Sequence, residues 1–417
     1  MVIKRKRYLD KLIIRKHNGM IKVITGIRRC GKSFLLFRLF RDHLLESGIK
    51  NDQIIEVAFD TRRNEYLRDP DKLCEYVDKM IVDDRQYYIF LDEVQFLGDF
   101  EAVLNDLLRY PNVDIYVTGS NSRFLSSDII TEFRGRGDEI HIFPLSFAEY
   151  LSGYNGSEED AWKDYYTFGG LPLILSMKTD EQKSEYLARL FKEVYIRDII
   201  ERNRILYPSE LDELINILSS SIGSLTNPRK LAQTFKSVKN IPITQNTVAK
   251  YCSYLEQAFL VSRSSRFDVK GKKYIGTPYK YYFEDVGLRN AKLNFRQIEE
   301  NHIMENIIYN ELRVRGFNVD VGVVEIYEKR HDGRSARVNT EIDFVANLGS
   351  RRYYVQSALR MDTDEKKYQE TRPLKSTNDS FKKIIIVGDN IKLKRDENGF
   401  VTMGIREFLL NSDSLDL

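Results

Sequence analysis

The chain has 417 residues, of which 42% are hydrophobic and 30% are charged. This length and composition predict roughly two to four soluble domains with ample material for their cores. Apolar runs stay well short of the roughly eighteen residues that a membrane-spanning helix needs, and the basic N-terminus lacks the apolar stretch and cleavage site of a secretion signal. The three cysteines lie far apart and form no CxxC pair, so neither a disulfide framework nor a zinc knuckle is indicated. We therefore expect a reduced, cytoplasmic protein with no membrane partner.

Basic residues are concentrated in one part of the chain. The net charge is only +3, but residues 227–273 contain ten Lys or Arg and two acidic residues, a local charge of +8 that leaves −5 for the rest. A basic patch in a nearly neutral protein points to a polyanionic partner better than a high overall isoelectric point does. We expect a polyanion as the partner of this segment, with double-stranded DNA as the candidate.

Residues 26–33, "GIRRCGKS", fit the phosphate-binding pattern G-x-x-x-x-G-K-[ST]. The β-branched run "IKVIT" precedes them, and an apolar helical pattern ending at Gly48 follows, which is the required strand–loop–helix context. Lys32 is then expected at the outer phosphates, and Ser33 at Mg²⁺. The alternative is a glycine-rich turn with an exposed lysine. The residues expected to bind nucleotide are Gly26, Ile27, Arg28, Arg29, Cys30, Gly31, Lys32, Ser33 and Phe34.

Two carboxylates follow the next strongly apolar strand. The run "YYIFL" leads directly into Asp92 and Glu93. A carboxylate at this strand end is what a P-loop ATPase needs beside its magnesium ion, so Asp92 is the expected metal residue. Glu93 is the expected general base for the attacking water. The alternative is a strand that merely exits into a charged loop.

Polar and basic residues follow the third strand, "VDIYVTGSNSRFL". Its polar cluster includes Thr118, and a residue there could sense a γ-phosphate; Ser120 is the first candidate and Asn121 the second. Arg134 or Arg136 could contact the γ-phosphate in cis or from a neighbouring subunit of a homo-oligomer, as an arginine finger does. A surface arginine pair in a glycine-rich loop is an equally good interpretation.

These motifs together resemble a large bacterial and archaeal family of AAA+-type ATPases, which join an N-terminal P-loop module to a C-terminal domain of unknown function. The resemblance rests on "GIRRCGKS", "FLDEVQ", "VTGSNS", "RGRG", "FPLSFAEYL" and "YYTFGGLPLIL", and continues through "EVYIRDIIERN", "YCSYLEQAFLV", "KYYFEDVGLRNA" and "ENIIYNELRVRGFNV". It covers nearly the whole chain. It implies ATP as the nucleotide and a composite C-terminal half, but it does not imply a substrate.

Helical patterns continue after the ATPase motifs. Residues 149–205 look helical, with breaks at Gly153, Gly156, Gly169 and Gly170, and we expect a helical lid there. Asp198 and Arg202 are spaced i, i+4, which favours an ion pair on a helix face over a catalytic role.

The basic segment lies within a predicted winged helix-turn-helix at 206–292. Three helical patterns are followed by two strand-like runs with a turn at 269–271, and the second helix opens with Asn227 as N-cap and Pro228. In a DNA-bound interpretation, the third helix faces the major groove and the turn meets phosphates. The competing interpretation is a structural or protein-docking module. The expected DNA-contacting residues are Gln245, Asn246, Thr247, Lys250, Lys270, Lys272 and Lys273.

The last segment, 293–417, resembles the restriction-endonuclease-like fold. That resemblance implies a helix glutamate, a strand aspartate and an E-x-K on the next strand around Mg²⁺. Glu305 or Glu311 can supply the first and Asp343 the second, but Gln356 and Ala358 stand where the second carboxylate and the lysine belong. An amide is a poor metal ligand and alanine cannot orient water, so we expect a nuclease-like fold without nuclease activity.

The sequence thus predicts an α/β protein with a P-loop NTPase parallel-sheet core at 1–148, a helical lid at 149–205, a winged helix-turn-helix at 206–292 and a small α/β nuclease-like domain at 293–417. The first functional hypothesis is a Mg²⁺-dependent ATPase that drives or switches the C-terminal half. The second is an ATP-stabilised protein- or DNA-binding switch with little turnover. An ATP-gated nuclease is a weaker third.

Overall fold

The computed structural model describes residues 2–119, 135–239, 243–329 and 335–417. The chain divides into two compact units. The N-terminal unit comprises Met1–Leu145, Leu171–Leu173 and Gln257–Phe259, and the C-terminal unit comprises Ser146–Gly170, Ile174–Glu256 and Leu260–Leu417. Most of the segment expected as a lid is therefore grouped with the C-terminal half. In the described ranges, no helix is long and apolar enough to cross a membrane.

Within the described residues, the N-terminal unit contains a five-stranded parallel sheet of order β2–β3–β4–β1–β5. Its strands are β1 (Ile21–Thr25), β2 (Ile54–Ala58), β3 (Tyr87–Asp92), β4 (Val113–Thr118) and β5 (Gly137–His141). Every residue of β1 and β3 is buried, which explains why both read as continuous apolar runs. In a parallel sheet the carboxyl ends share one edge, so the residues after β1, β3 and β4 converge there.

Helices flank this sheet. They are α1 (Lys6–Ile14), α2 (Lys32–Phe34, continued by the π-helical Leu35–Phe40 and by Arg41–Glu46), α3 (Pro70–Met80) and α4 (Phe100–Leu107). Short 3-10 helices lie at Asn51–Gln53, Arg62–Arg68 and Val94–Phe96. Apolar residues of the strands, α3 and α4 form one buried core cluster, which holds the strand ends in fixed positions.

The helices of the C-terminal unit are α5 (Phe147–Gly153), α6 (Glu158–Phe168), α7 (Asp180–Arg189, continued by Leu190–Ile196 and Arg197–Asn203), α8 (Pro208–Ser220), α9 (Pro228–Lys239), α10 (Gln245–Gln257), α11 (Val286–Lys292), α12 (Glu300–Val314), α13 (Asp364–Lys375) and α14 (Ile405–Leu410). Arg202 Nη2 lies 2.7 Å from Asp198 Oδ2 on α7, which confirms the expected ion pair.

Across the described part of this unit, eight strands form one mixed sheet of order β12–β13–β11–β10–β9–β8–β6–β7. They are β6 (Val261–Asp268), β7 (Lys273–Phe283), β8 (Asn318–Lys329), β9 (Ser335–Leu348), β10 (Arg351–Ala358), β11 (Lys382–Val387), β12 (Lys394–Arg395) and β13 (Val401–Gly404). The β6–β7 hairpin, expected as a wing, joins this sheet because β6 pairs in parallel with β8. The winged-helix and nuclease-like segments therefore share a single sheet.

Two of the glycine-containing motifs meet inside the C-terminal unit. Asp285 is buried at the start of α11, where its carboxylate accepts hydrogen bonds from the backbone N–H groups of Leu288 (3.0 Å) and Gly170 (2.8 Å). The Asn290 side-chain amide donates to the carbonyl oxygens of Tyr166 (3.0 Å) and Thr167 (2.9 Å). The motif "YYTFGG" is thereby bound to "EDVGLRN", so these residues hold α6 against α11.

Candidate nucleotide-binding site

The loop between β1 and α2 has a conformation that only glycine tolerates at its first position. Gly26 has a φ of 139°, and an added β-carbon would lie 2.2 Å from the carbonyl oxygen of Ile142. Gly31, with a φ of 101°, is the N-cap of α2, and its carbonyl accepts the first helical hydrogen bond from Leu35 N (2.9 Å). Glycine at these two positions allows the loop to turn into α2, so that the N-terminus of this helix faces the loop. A helix N-terminus in this position is a natural binding site for anions.

The Lys32 side chain turns back over this loop. Its buried ammonium donates to the carbonyl oxygens of Gly26 (2.9 Å) and Ile27 (3.1 Å). A positive charge thus lies over the loop, close to the N-terminus of α2, which also favours anions. Phosphate oxygens could replace these carbonyls as its partners, because charge-assisted hydrogen bonds are stronger than bonds to neutral acceptors.

Asp92 receives two hydroxyl groups at the end of β3. Ser33 Oγ donates to Asp92 Oδ1 at 3.0 Å, and Thr118 Oγ1, at the end of β4, donates to the same oxygen. Burial raises the pKa of Asp92, and the two hydroxyl hydrogen bonds partly offset this rise. A cation beside this carboxylate would favour its charged form.

The donor set fits Mg²⁺. This ion prefers hard oxygen ligands in octahedral geometry at about 2.0–2.1 Å, which places neighbouring ligands about 2.9 Å apart. The Ser33 hydroxyl and the Asp92 carboxylate lie 3.0 Å apart, so both can face one such ion. The structure therefore brings together Lys32, Ser33 and Asp92, the three residues expected to act on phosphate and metal.

Glu93 follows Asp92 in a left-handed backbone conformation, with φ 54° and ψ 47°. Its backbone N–H donates to Thr118 Oγ1 at 3.2 Å, and its carboxylate accepts a hydrogen bond from the Gln95 side-chain amide. Thr118 thus fixes both acidic residues, and Gln95 engages the expected base. Sequence reasoning did not assign these roles, because both contacts arise from the sheet and the turn after β3.

The N-terminal segment supports the phosphate loop. Arg5 is buried in a left-handed conformation, and its guanidinium donates to the carbonyl oxygens of Phe143 (2.6 Å) and Cys30 (3.4 Å). The Tyr8 hydroxyl accepts from Phe143 N at 3.2 Å. Cys30 belongs to the loop, so Arg5 connects its backbone to the segment after β5. The basic N-terminus gave no sequence signal for this role.

The other predicted nucleotide and sensor residues lie in the phosphate loop, just before β5 or outside the described part of the chain. Ser120, Asn121 and Arg134 lie outside the described residues. Arg136 is exposed just before β5, and its carbonyl accepts from Ile21 N at 2.8 Å. In the loop, Cys30 is buried, Arg28 is half-buried, and Arg29 and Phe34 are exposed.

The basic segment presents part of its expected surface. Gln245, Asn246 and Lys250 are exposed on α10, while the Thr247 hydroxyl contacts that of Thr244 at 2.9 Å. At the hairpin turn, Lys272 and Lys273 are exposed. Lys270 is also exposed, but its ammonium donates to the carbonyl oxygen of Glu325 at 2.7 Å.

The expected nuclease-like residues are partly brought together. Glu305 on α12 and Asp343 on β9 both lie within 3.5 Å of the Lys280 ammonium. Gln356 on β10 contacts the backbone N–H of Asp343 at 3.4 Å. Glu311 instead pairs with Arg315 at 2.7 Å, and Ala358 lies in an apolar core cluster. The lysine beside these carboxylates, Lys280, lies on β7, a strand that the motif pattern did not include.

A P-loop after β1 and a carboxylate at the end of β3, with β4 between these two strands in a parallel sheet, are typical of an AAA-type ATPase domain. Residues 18–151 match the family described as "AAA domain", and residues 159–299 match a "Domain of unknown function (DUF8612)". The expected AAA-type ATPase domain is thereby confirmed.

The chain belongs to the same family as a Haemophilus influenzae protein that carries only the description "Uncharacterized protein". The two are 33% identical over 393 residues, which is 93% of this chain and 94% of the relative. A similarly described Methanocaldococcus jannaschii protein is 27% identical over 411 residues, covering 94% of this chain and 86% of its own.

Solved structures give weaker likenesses. The Aeropyrum pernix ORC2 protein, in ADPNP–ADP complexes, is 14% identical, with a TM-score of 0.36, and covers 73% of this chain and 93% of its own. The Aeropyrum pernix ORC1 protein in complex with DNA is 14% identical, with a TM-score of 0.29, and covers 70% and 92%. At these scores neither likeness bears on function.

Proposed function

We propose that this protein is an ATPase that requires Mg²⁺ and that its nucleotide state controls the C-terminal unit. One contact carries the proposal: the Ser33 hydroxyl and the Asp92 carboxylate are 3.0 Å apart at the N-terminus of the helix that follows the phosphate loop. A passive anion site needs only the loop and the lysine. A hydroxyl and a carboxylate paired at that spacing are the additional groups that a nucleotide-bound magnesium ion uses.

Each residue has a separate task in this proposal. Backbone N–H groups of the loop bind phosphate oxygens, and Lys32 exchanges its two carbonyl partners for the outer phosphates. Ser33 and Asp92 hold Mg²⁺, which would neutralise phosphate charge when bound. Glu93 accepts the proton of the attacking water. The γ-phosphate contacts are proposed for Ser120 or Asn121, and for Arg134 or Arg136 from the same or a neighbouring subunit.

Phosphate release tests the metal requirement. We expect wild-type protein to release phosphate from ATP with Mg²⁺ but not with a chelator. Ser33→Ala should lose about tenfold or more of this activity, since one hydrogen bond to a charged group contributes about 1.5–3 kcal/mol. Ser47→Ala is the matched control, because this exposed serine lies just after the same helix. Equal activity of Ser33→Ala and wild type would contradict the proposed magnesium role.

A second candidate is an ATP-dependent switch with little turnover. The contact that favours it is the hydrogen bond from the Gln95 amide to the Glu93 carboxylate, which engages the expected base. The Glu93 oxygen that accepts this hydrogen bond is engaged by the amide rather than by an attacking water. If this contact limits turnover, Gln95→Ala will raise the rate of phosphate release several-fold with little change in the KM for ATP. An unchanged or lower rate would remove the support for a restrained base.

The proposed partner of the basic segment is double-stranded DNA. The support is the charge of +8 on residues 227–273 and the exposure of polar and basic side chains on α9 and α10. Lys270 already donates to a main-chain carbonyl, so contacts from the turn fall mainly to Lys272 and Lys273. A protein-docking role for the same helices is the competing proposal. The exposed residues of α9 and α10 that would face DNA are Arg229, Lys230, Lys236, Gln245, Asn246 and Lys250.

Salt-dependent binding separates the two roles. Fluorescence anisotropy of a labelled duplex should give an affinity that falls steeply with salt. Lys250→Ala should weaken binding and reduce the slope by about 0.9, because one phosphate is then no longer neutralised by an ammonium. Lys79→Ala, an exposed lysine of α3, is the control. No salt-dependent binding to any duplex would contradict the DNA role and favour a protein partner.

Sedimentation with and without ATP tests the proposed homo-oligomer.

A further inference from the structure

One lysine of the C-terminal unit lies among three carboxylates. Lys280, on β7, is only 4% exposed. Its ammonium is 2.9 Å from Glu305 Oε1, 2.5 Å from Glu341 Oε1 and 3.5 Å from Asp343 Oδ1. These carboxylates come from α12 and β9, so the ammonium connects three separate elements of the unit.

The ammonium has no hydrogen-bonding capacity to spare. A lysine carries three N–H donors and no acceptor, and three carboxylates surround it. A lysine that orients an attacking water must keep a donor for that water. Lys280 therefore has the surroundings of a counter-ion rather than those of a catalytic lysine.

The carboxylates are also engaged by neutral donors. The Tyr282 hydroxyl donates to Glu305 Oε1 at 2.7 Å, and the backbone N–H of Ser357 donates to Asp343 Oδ2 at 2.9 Å. Next to them, the Gln356 amide donates to Glu370 at 2.9 Å. The contacts of Tyr282 and Ser357 hold Glu305 and Asp343 beside the lysine, at the place where the expected nuclease-like site would bind metal.

Electrostatics keep the lysine charged. Burial alone would lower the pKa of Lys280, but Glu305, Asp343 and Glu341 together outweigh burial and raise it. A buried ammonium without partners would be costly, and so would three carboxylates held close together without a cation. Each side of the cluster therefore depends on the other.

We propose that the Lys280 ammonium is the resident cation of this carboxylate cluster and occupies the place that a divalent metal ion would take. The cluster is then a closed cation site, and it binds the β6–β7 hairpin to α12 and β9. It cannot hold Mg²⁺ for phosphodiester cleavage while Lys280 is present. This inference does not depend on the proposed ATPase activity.

Replacing the lysine opens the site. Lys280→Met removes the ammonium but keeps most of the side-chain volume, which leaves three carboxylates without a cation. Ca²⁺ is the best probe for them, because it accepts oxygen ligands at roughly 2.3–2.6 Å in flexible geometry. Thermal unfolding is followed in the full-length chain through Trp162, the single tryptophan, which lies in the same unit.

We expect Lys280→Met to unfold about 10 °C below wild type without Ca²⁺, because removing one partner of a buried ion pair is strongly destabilising. Millimolar Ca²⁺ should restore several degrees to Lys280→Met and none to wild type. The double variant Lys280→Met/Asp343→Asn should lose most of this Ca²⁺ response. Lys79→Met is the control for an exposed lysine. A Ca²⁺ response that is equal in wild type and Lys280→Met would overturn the proposal.

Two measurements decide the question without Lys280→Met, in case this variant does not fold. Calorimetric titration of wild type and Asp343→Asn with Ca²⁺ should give the same number of bound ions, and one additional ion in wild type would overturn the proposal. Wild-type protein should also leave plasmid DNA intact with Mg²⁺ or Mn²⁺. Cleavage that Asp343→Asn abolishes would show that Lys280 belongs to an active metal site instead.

Discussion

The contact between α6 and α11 predicts a large effect from one methyl group. A β-carbon built on Gly287 would lie 2.0 Å from the carbonyl oxygen of Phe168, 2.3 Å from its carbonyl carbon and 2.8 Å from the backbone nitrogen of Gly169. All three atoms belong to the main chain, so they cannot rotate aside as a side chain could. Overpacking of a well-packed site costs about 1–3 kcal/mol and occasionally more. We expect Gly287→Ala to reach or exceed the upper value.

The assay is urea unfolding followed by Trp162 fluorescence, since this residue lies in α6, close in sequence to the strained contact. Gly276→Ala in β7 is the matched control, because a β-carbon there meets nothing within 4 Å. It should change the free energy of unfolding by no more than about 0.5 kcal/mol. Equal urea midpoints for Gly287→Ala and Gly276→Ala would refute the close packing of α6 on α11.

Three further predictions concern single side chains. Thr118→Val should lower the rate of phosphate release about tenfold, whereas Thr118→Ser should keep the wild-type rate, because the hydroxyl donates a hydrogen bond to Asp92. Equal rates for the two variants would contradict this role of the hydroxyl. Arg5→Met should weaken ATP binding several-fold in a fluorescent-nucleotide titration, since the variant cannot donate to the carbonyl of Cys30; an unchanged affinity would show that Arg5 does not shape the loop. Burial raises the pKa of Asp285 to about 6, against about 3.9 when unfolded. The folded protein therefore favours the protonated Asp285 carboxyl. The stability that this preference contributes is fully present below the unfolded pKa and is lost as the pH rises to about 6. The difference in unfolding free energy between wild type and Asp285→Asn, followed through Trp162, should shift by about 3 kcal/mol in favour of the variant over that range, and no shift would contradict the raised pKa.

The phosphate loop was predictable because its determinants are contiguous. Gly26, Lys32 and Ser33 act through a strand, a loop and a helix that follow one another in the chain, so spacing alone carries the information. Asp92 was predictable for a similar reason, as it follows an apolar strand. Its partner Thr118 was noted only as part of a polar cluster, because the order of β3 and β4 in the sheet decides which side chains meet.

Long-range pairing limited what could be foreseen in the C-terminal unit. The motif pattern sought a lysine at position 358, two residues beyond Gln356, and found alanine. The lysine near the carboxylates is Lys280, and its place depends on β7 joining the same sheet as β9 through β6 and β8. Residue spacing cannot show that pairing. The ion pair of Asp198 and Arg202, by contrast, follows from helical periodicity alone.

The most direct test of the ATPase proposal is steady-state phosphate release from ATP and Mg²⁺ by wild type, Glu93→Gln and the control Glu75→Gln, an exposed glutamate of α3. Binding of ATP is measured in parallel for all three proteins, with and without duplex DNA. The proposal predicts that Glu93→Gln binds ATP as wild type does but releases about a hundredfold or more less phosphate, while Glu75→Gln is unaffected. Equal turnover by wild type and Glu93→Gln would contradict it.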